Sequence, residues 1–252
     1  MAHKTLISGT AYSVSGGREL IGGTGYDCKA GKTLIGGTAV TVPFSKGIPL
    51  STITPGAILY LNESGSPVPF YIAKHDYESG LNGAGRTLVV RKDCYDMRVF
   101  SSSNNAYANS SLDSWLRNTY IKLLDADTQA AIGTTEFYCT IGNGNTTKTT
   151  MKRAVFQLSI AELGKTVANT NKEGTALPIA TALQIAYRNG VACTQWTRTP
   201  PGNYTNFEWT LISNGETRIL MVSSSGGSRP AFTLPATLAV TPNADGTYTL
   251  AA

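Results

Sequence analysis

The amino-acid sequence predicts an α+β protein, in which a short β-repeat (meander) module precedes one larger domain of strands, two or three helices and a long antiparallel C-terminal portion. Three observations carry this reading. A glycine-rich 14-mer opens the chain three times over, as "KTLISGTAYSVSGG" from Lys4, "RELIGGTGYDCKAG" from Arg18 and "KTLIGGTAVTVPFS" from Lys32. Apolar residues at spacings of three and four mark a core-facing helix between Leu112 and Leu124. Elsewhere, runs rich in β-branched and aromatic residues are cut by Gly, Pro and Asn, the punctuation of strands and turns.

The repeats come first. Nine glycines fall between Lys4 and Ser45, and each costs a helix interior about 1 kcal/mol relative to alanine, so helix is excluded. Each copy has an apolar pair (Leu6-Ile7, Leu20-Ile21, Leu34-Ile35), a Ser-Gly or Gly-Gly turn and an alternating run, which is a hairpin pattern. A fixed period marks a stacked structural unit. Side chains this small bury little apolar area, so residues 1–45 are expected to pack against sister chains or a larger assembly; a plain meander docked on its own domain is the alternative.

The remaining residues, 46–252, suffice for one large domain. Pro43 to Pro55 reads as a linker, and Ile58–Asn62 and Val68–Lys74 as strands joined at "ESGSP"; Arg86–Asp93 supplies a third. Ser110 or Ser111 caps the helix carrying Leu112, Trp115, Leu116, Tyr120, Leu123 and Leu124; "DADTQAAIG" gives a second, stopped by Gly133. "VFQLSIAELG" reads as strand then helix, with Ser159 and Glu162 spaced as a capping box and Gly164 ending the turn. "ATALQIAYRNG" reads as one more helix, closed at Asn189-Gly190. "TQWTRTP", "FEWTLIS", "TRILMVS" and "RPAFTLPATLAV" then return to β, with a last hairpin around "NADG". The polar runs 101–111 and 142–150 read as surface loops.

Composition narrows the function. No segment approaches the 18 or so consecutive apolar residues that span a bilayer. Met-Ala-His-Lys begins no secretory signal, so synthesis and folding in a cytoplasm are expected. Four cysteines, Cys28, Cys94, Cys139 and Cys193, include no C-x-x-C pair, which argues against zinc and for buried free thiols. The net charge of +5 is scattered rather than gathered into a basic face, so nucleic acid is not an expected partner. With His3 near the end and His75 isolated, no Ser-His-Asp or Cys-His set assembles, and no P-loop or H-E-x-x-H occurs; no catalytic residue, cofactor or metal is expected. A glycosidase pair of carboxylates stays open, because sequence does not give their separation.

The ordered set "SLDSWLRNTYIKLLDADTQAAI", "VFQLSIAELG", "QWTRTP" and "SRPAFTLP" resembles a domain of tail proteins from phages and prophages of Gram-positive gut bacteria. In that family a "WLN" or "YLN" helix precedes "FLLS..E", "WWLRSP" and "VRPAF.L", and "KTLIGGT.Y.V" repeats accompany it. The resemblance covers nearly the whole chain and implies a C-type-lectin-like fold, related to the formylglycine-generating-enzyme type and to variable proteins of diversity-generating retroelements, with a display surface on a C-terminal sheet. The carry-over falls on Trp196, Arg198 and Pro200, and on Arg229, Pro230 and Phe232. Thr197 replaces the second Trp of "WWLRSP" and the Leu is lost, so no detailed site transfers through that segment. Cys193 lacks the partner spacing of the formylglycine-generating relatives, and the Glu-Pro-Asn triplet of calcium lectins is missing.

Two readings of Trp196, Arg198 and Arg229 stand side by side: an aromatic with guanidinium forks facing a ligand, or a core indole with arginines bridging buried carbonyls or a carboxylate. In "PPGNYTNFEWTLISNGETR", Asn203, Tyr204, Asn206, Phe207 and Trp209 cluster within seven residues, the chemistry of adaptable binding surfaces; Phe207 and Trp209 could instead face the core of one strand. The candidate ligand-binding set is therefore Asn203, Tyr204, Asn206, Phe207, Trp209 and Arg198. The resemblance implies a homotrimeric, non-enzymatic receptor-binding or tail-tip protein of the virion tail, with other tail proteins and a host surface glycan or protein as partners. Alternatives are a structural tail adaptor and a glycan depolymerase. A retroelement template matching codons 196–232 would mark that region as diversified.

Overall fold

The computed structural model describes residues 47–251 in full and, within the first 46, six strands. These are His3–Ile7, Thr10–Val14, Arg18–Ile21, Thr24–Asp27, Ala30–Ile35 and Thr38–Pro43, paired as three antiparallel hairpins, one per repeat. The closing pairs Ile7–Thr10, Ile21–Thr24 and Ile35–Thr38 each leave two residues for the turn, the shortest common hairpin connection. Cys28 and the turn dipeptides lie outside the described residues, as does the expectation that the repeats bind sister chains, which rests on their side chains. The chain divides into two compact units, Met1–Gly47 with the two terminal alanines, and Ile48–Leu250.

The second unit is mixed and strand-rich, with several open sheets and few, short helices. Its largest sheet has eight strands in the order Val155–Phe156, Ala231–Pro235, Arg86–Arg91, Ser66–Lys74, Ile58–Glu63, Tyr248–Leu250, Ala239–Pro242, Ile48–Pro49. Every pairing is antiparallel except that of Tyr248–Leu250 with Ile58–Glu63. Leu88, Val89 and Val90 are all fully buried, the continuous apolar run of a strand covered on both faces. Ile58–Glu63 instead buries every second residue, Leu59, Leu61 and Glu63. Its turn to the next strand puts both Ser64 (φ 52°) and Gly65 (φ 79°) at positive φ, the conformation that matches strand twist. The stretch that reads as a linker is partly structural, since Ile48–Pro49 is an edge strand and Leu50 is fully buried.

A second sheet of five strands runs Asp96–Val99, Ser225–Ser228, Gln195–Trp196, Phe207–Leu211, Thr217–Met221. Trp196 fills its core side, packing on Phe100 at 5.5 Å and donating its indole N–H to Arg98 O at 2.8 Å. Gly226 makes room for it: a Cβ there would stand 2.7 Å from the indole. The sheets enclose one aromatic core that includes Phe70 on Phe232 at 5.4 Å and Phe137 on Phe156 at 4.5 Å.

The main helix is Ser111–Asn118, capped by Ser110 Oγ, which accepts from Asp113 N at 3.0 Å; Leu112 and Leu116 are buried. It stops at Thr119, and Tyr120–Leu123 continues as a tighter 3-10 turn rather than as the single helix the stripe predicts. Ala126–Ala131 forms with Asp125 as cap. Three other expectations are corrected. Ser159 and Glu162 do make the reciprocal capping bonds (Ser159 N to Glu162 Oε2, 2.8 Å; Glu162 N to Ser159 Oγ, 3.1 Å), yet they close only a turn. Helix Ala180–Leu183 ends after four residues, and Ala186–Arg188 and Val191–Cys193 form a hairpin across Asn189-Gly190, both at positive φ. Segments this short do not repay helix nucleation when a strand partner is available. Residues 142–150 belong to a long hairpin, Thr135–Gly142 with Asn145–Arg153, rather than to a loop.

Candidate functional site

Four segments far apart in sequence meet at the candidate site: 101–109, the tip of the hairpin at 141–147, 167–173 and 200–207. The run 101–111 reads as a surface loop, but Ser101, Asn105, Ala106 and Tyr107 are buried in it, with Tyr107 Oη accepting from Gln157 N at 2.9 Å. Asn105 is the clamp. Its amide donates to Tyr204 O at 2.9 Å and Phe207 O at 2.8 Å, its Oδ1 accepts from Asn143 N at 2.6 Å, and its own N–H donates to Thr205 O at 2.8 Å. One buried side chain thus spends both amide hydrogens and its acceptor on two other segments.

Two glycines permit this closeness. At Gly142 (φ 78°) a Cβ would lie 2.7 Å from Ala106 Cα and from Asn105 O; at Gly202 it would lie 2.2 Å from Thr146 Cγ2 and 2.7 Å from Asn169 O. Gly202 N donates to Asn169 O at 2.6 Å, and Asn171 Nδ2 donates to Thr146 O. Between them opens a depression of about 520 Å³ lined by Thr146, Asn169, Thr170, Asn171, Gly202 and Asn203. None of these six lining residues is charged, and they offer amides, hydroxyls and threonine methyls. A second hollow of about 380 Å³ lies against the hairpin, with Asn104, Asn109, Ile141, Asn143 and Met151 in its walls.

The structure sorts the sequence-predicted residues. Asn203, Tyr204 and Asn206 are exposed, Tyr204 at 43%, with its ring edge-on to Phe207 at 5.3 Å. Phe207 and Trp209 are partly buried, and Trp209 packs against the core. Arg198 is not on the surface at all. It is fully buried, donating from Nε to Tyr138 O at 3.0 Å and from Nη1 to Gln157 O at 2.8 Å and Glu162 Oε2 at 2.7 Å, with its guanidinium 4.5 Å from the Phe137 ring centre. The expectation that Arg198 contacts a ligand is therefore corrected: Nε and Nη1 are held by two carbonyls and a buried carboxylate, and Nη2 is buried with no hydrogen-bond partner among the described residues, so the side chain is an internal brace. Trp196 and Arg229 are equally internal, and Pro230 and Phe232 are buried with them.

Around Arg198 lies a buried polar network. Tyr77 Oη donates to Glu162, and Glu173 accepts from Thr140 N at 2.5 Å and Thr199 Oγ1 at 2.6 Å, tying the 167–173 segment to the hairpin and to the strand end before Pro200. Burial pushes the Glu173 carboxyl up to about 7, against the pull of Arg198 and of its hydrogen bonds. Burial, with the charge of Glu173, also raises Glu208, a fully buried carboxyl with neither oxygen hydrogen-bonded among the described residues. The sequence signals neither the Asn105 clamp nor Glu173; a faint hint of the first is Ala106-Tyr107, apolar residues inside a Ser/Asn run. Among the described residues, no three His, Cys, Asp or Glu side chains gather as metal ligands, and no helix is long and apolar enough to cross a membrane.

Comparison with curated proteins and with solved structures found no match. Residues 84–236 match the model of one protein family, the Domain of unknown function (DUF6273), a span that takes in the Asn105 clamp, both glycines, Arg198 and the exposed loop. That span is more than half of the 252 residues, and the chain therefore belongs to the DUF6273 family.

Proposed function

We propose that the protein is a non-enzymatic attachment protein of a phage or prophage tail, a homotrimer whose second unit is C-type-lectin-like and recognises a bacterial surface. The observation that carries this is the exposed trio Asn203, Tyr204 and Asn206, held on a loop pinned by the buried Asn105 and bordering the uncharged 520 Å³ depression. An aromatic face flanked by amides offers stacking area and hydrogen bonds to a hydroxyl-rich ligand, so a surface glycan fits better than an acidic one. Pinning the loop in advance lowers the ordering cost of binding. The pairing of both ends of the unit in one sheet, with a second sheet built mostly from C-terminal strands, supports the lectin-like reading. Three copies would turn weak single-site contacts into firm attachment. Its place is then the virion tail, alongside other tail proteins.

Adhesion of labelled full-length protein to host cells tests the site. Tyr204→Ala with Asn206→Ala should weaken adhesion about tenfold or more, given the worth of a tyrosine anchor, while leaving the thermal midpoint unchanged. Undiminished adhesion sinks the assignment and favours a structural adaptor; oligosaccharide released from host wall in a reducing-end assay favours a depolymerase. A monomer in size-exclusion chromatography with light scattering removes the trimer.

A further inference from the structure

Three cysteines are described, and two of them meet. Cys94 follows strand Arg86–Arg91, and its N–H donates to Tyr187 O at 2.8 Å, which binds it to the hairpin where Ala186 faces Cys193. Tyr187 is next to Ala186, so the backbone bond from Cys94 sets its side chain beside the strand that carries Cys193. Gly227 leaves the space: a Cβ there would stand 2.5 Å from Cys94 Sγ and 2.9 Å from Thr194 O, the carbonyl next to Cys193. Cys94 is 3% exposed, whereas Cys193 is only partly buried, so one sulfur is sheltered and the other accessible.

The surroundings are cationic. Arg229 is fully buried and spends its donors on neutral acceptors, Arg91 O at 2.9 Å, Lys92 O at 2.5 Å and Leu183 O at 2.7 Å, with no carboxylate paired to it among the described residues. The neighbouring Cys94 thiol, then the charges of Arg229 and Arg188, hold Cys193 below the usual thiol range, with burial and Asp93 opposing. Cys94 is raised by the neighbouring Cys193 thiol and by burial. An accessible cysteine next to a sheltered one is the arrangement of an attacking and a resolving thiol. Cys139 is the contrast: buried and pushed up to about 11 by burial.

We propose that Cys94 and Cys193 are a redox-active dithiol that closes to an intramolecular disulfide by exchange with a low-molecular-weight disulfide. The Cys193 thiolate attacks one sulfur of the small disulfide RSSR, forming a mixed disulfide and expelling RS⁻, which takes a proton from solvent. Cys94 then attacks the Cys193 sulfur, giving its proton to the second departing thiolate. Two protein thiols are oxidised and RSSR is reduced to two RSH. The bond would staple the exposed hairpin carrying Tyr187 and Val191 to the large sheet, closing a loop of about 100 residues of the kind that restrains an unfolded chain most. The site stands apart from the attachment loop and does not depend on it.

Reduced full-length protein is incubated with glutathione disulfide, quenched with acid, and analysed by intact mass and non-reducing peptide mapping. Wild type should lose two hydrogens, show a Cys94–Cys193 linked peptide, and unfold at a higher temperature than the reduced form. Cys94→Ser should stop with one glutathione on Cys193, and Cys193→Ser should leave Cys94 unmodified. If wild type instead retains glutathione on Cys193, keeps both thiols free, or links either to Cys28 or Cys139, the proposal fails; this wild-type mapping decides it even where a serine variant does not fold.

Discussion

Replacing Arg198 by Met should unfold the domain far more easily while leaving the surface loop chemically untouched. The side chain is fully buried and holds three acceptors: two carbonyls, Tyr138 O and Gln157 O, and the carboxylate of Glu162. Methionine fills similar volume but leaves those carbonyls unpaired and Glu162 with only Tyr77 Oη and Ser159 N as partners. Removing one member of a buried ion pair costs about 3–5 kcal/mol, chiefly because the other charge stays buried. With a urea slope of about 2 kcal/mol per molar, a loss of about 4 kcal/mol lowers the midpoint by about 2 M. The three tryptophans, Trp115, Trp196 and Trp209, all lie in Ile48–Leu250, so their fluorescence reports this unit alone. Adding Glu162→Leu to Arg198→Met should restore part of the loss, since the orphaned carboxylate is then gone. A midpoint shifted by less than 0.5 M in Arg198→Met, about 1 kcal/mol on the same slope, refutes the brace.

Glu173 sets a pH dependence. Its carboxyl is raised in the folded state, so its contribution is fully present below about pH 4.5 and is lost as pH rises through about 7. The rise from 4.5 corresponds to about 3 kcal/mol; Glu173→Gln should flatten the fall in urea midpoint between pH 5 and pH 8, and an unchanged slope removes Glu173 as its source. Asn105→Ala should cost about 2–4 kcal/mol from its unpaired partners, seen as a lower thermal midpoint and, by hydrogen exchange, faster opening of residues 203–207; protection there equal to wild type would mean the loop does not depend on the clamp. Gly142→Ala should destabilise by at least about 2 kcal/mol, because positive φ is joined by contact with Ala106 and Asn105, whereas Gly65→Ala at similar φ meets nothing within 4 Å and should cost only about 1 kcal/mol. Equal costs at the two glycines would refute the close approach.

Much of the local architecture was legible. The period of 14 and its Gly-Gly dipeptides predict one hairpin per repeat, and Ser110 predicts a helix start; the Ser159–Glu162 spacing predicts a pair of bonds that form even though the helix behind them does not. Asn203, Tyr204 and Asn206 follow Pro-Pro-Gly, and a loop there was expected. The segment "ATALQIAYRNG" has helical spacing, but the hairpin at Asn189-Gly190 gives its second half a strand partner instead.

Signals of this kind arise from interactions within about four residues of chain, so turn chemistry, capping and apolar period can be read off the letters alone. Whether a polar side chain faces a ligand or a carbonyl depends on atoms dozens of residues away. Arg198 meets Tyr138 and Glu162, Asn105 meets Asn143 and Tyr204, and Cys94 meets the hairpin of Cys193 only because the sheets bring those segments together. The long-range packing therefore chose which of the motif residues became internal braces and which were left to face outward.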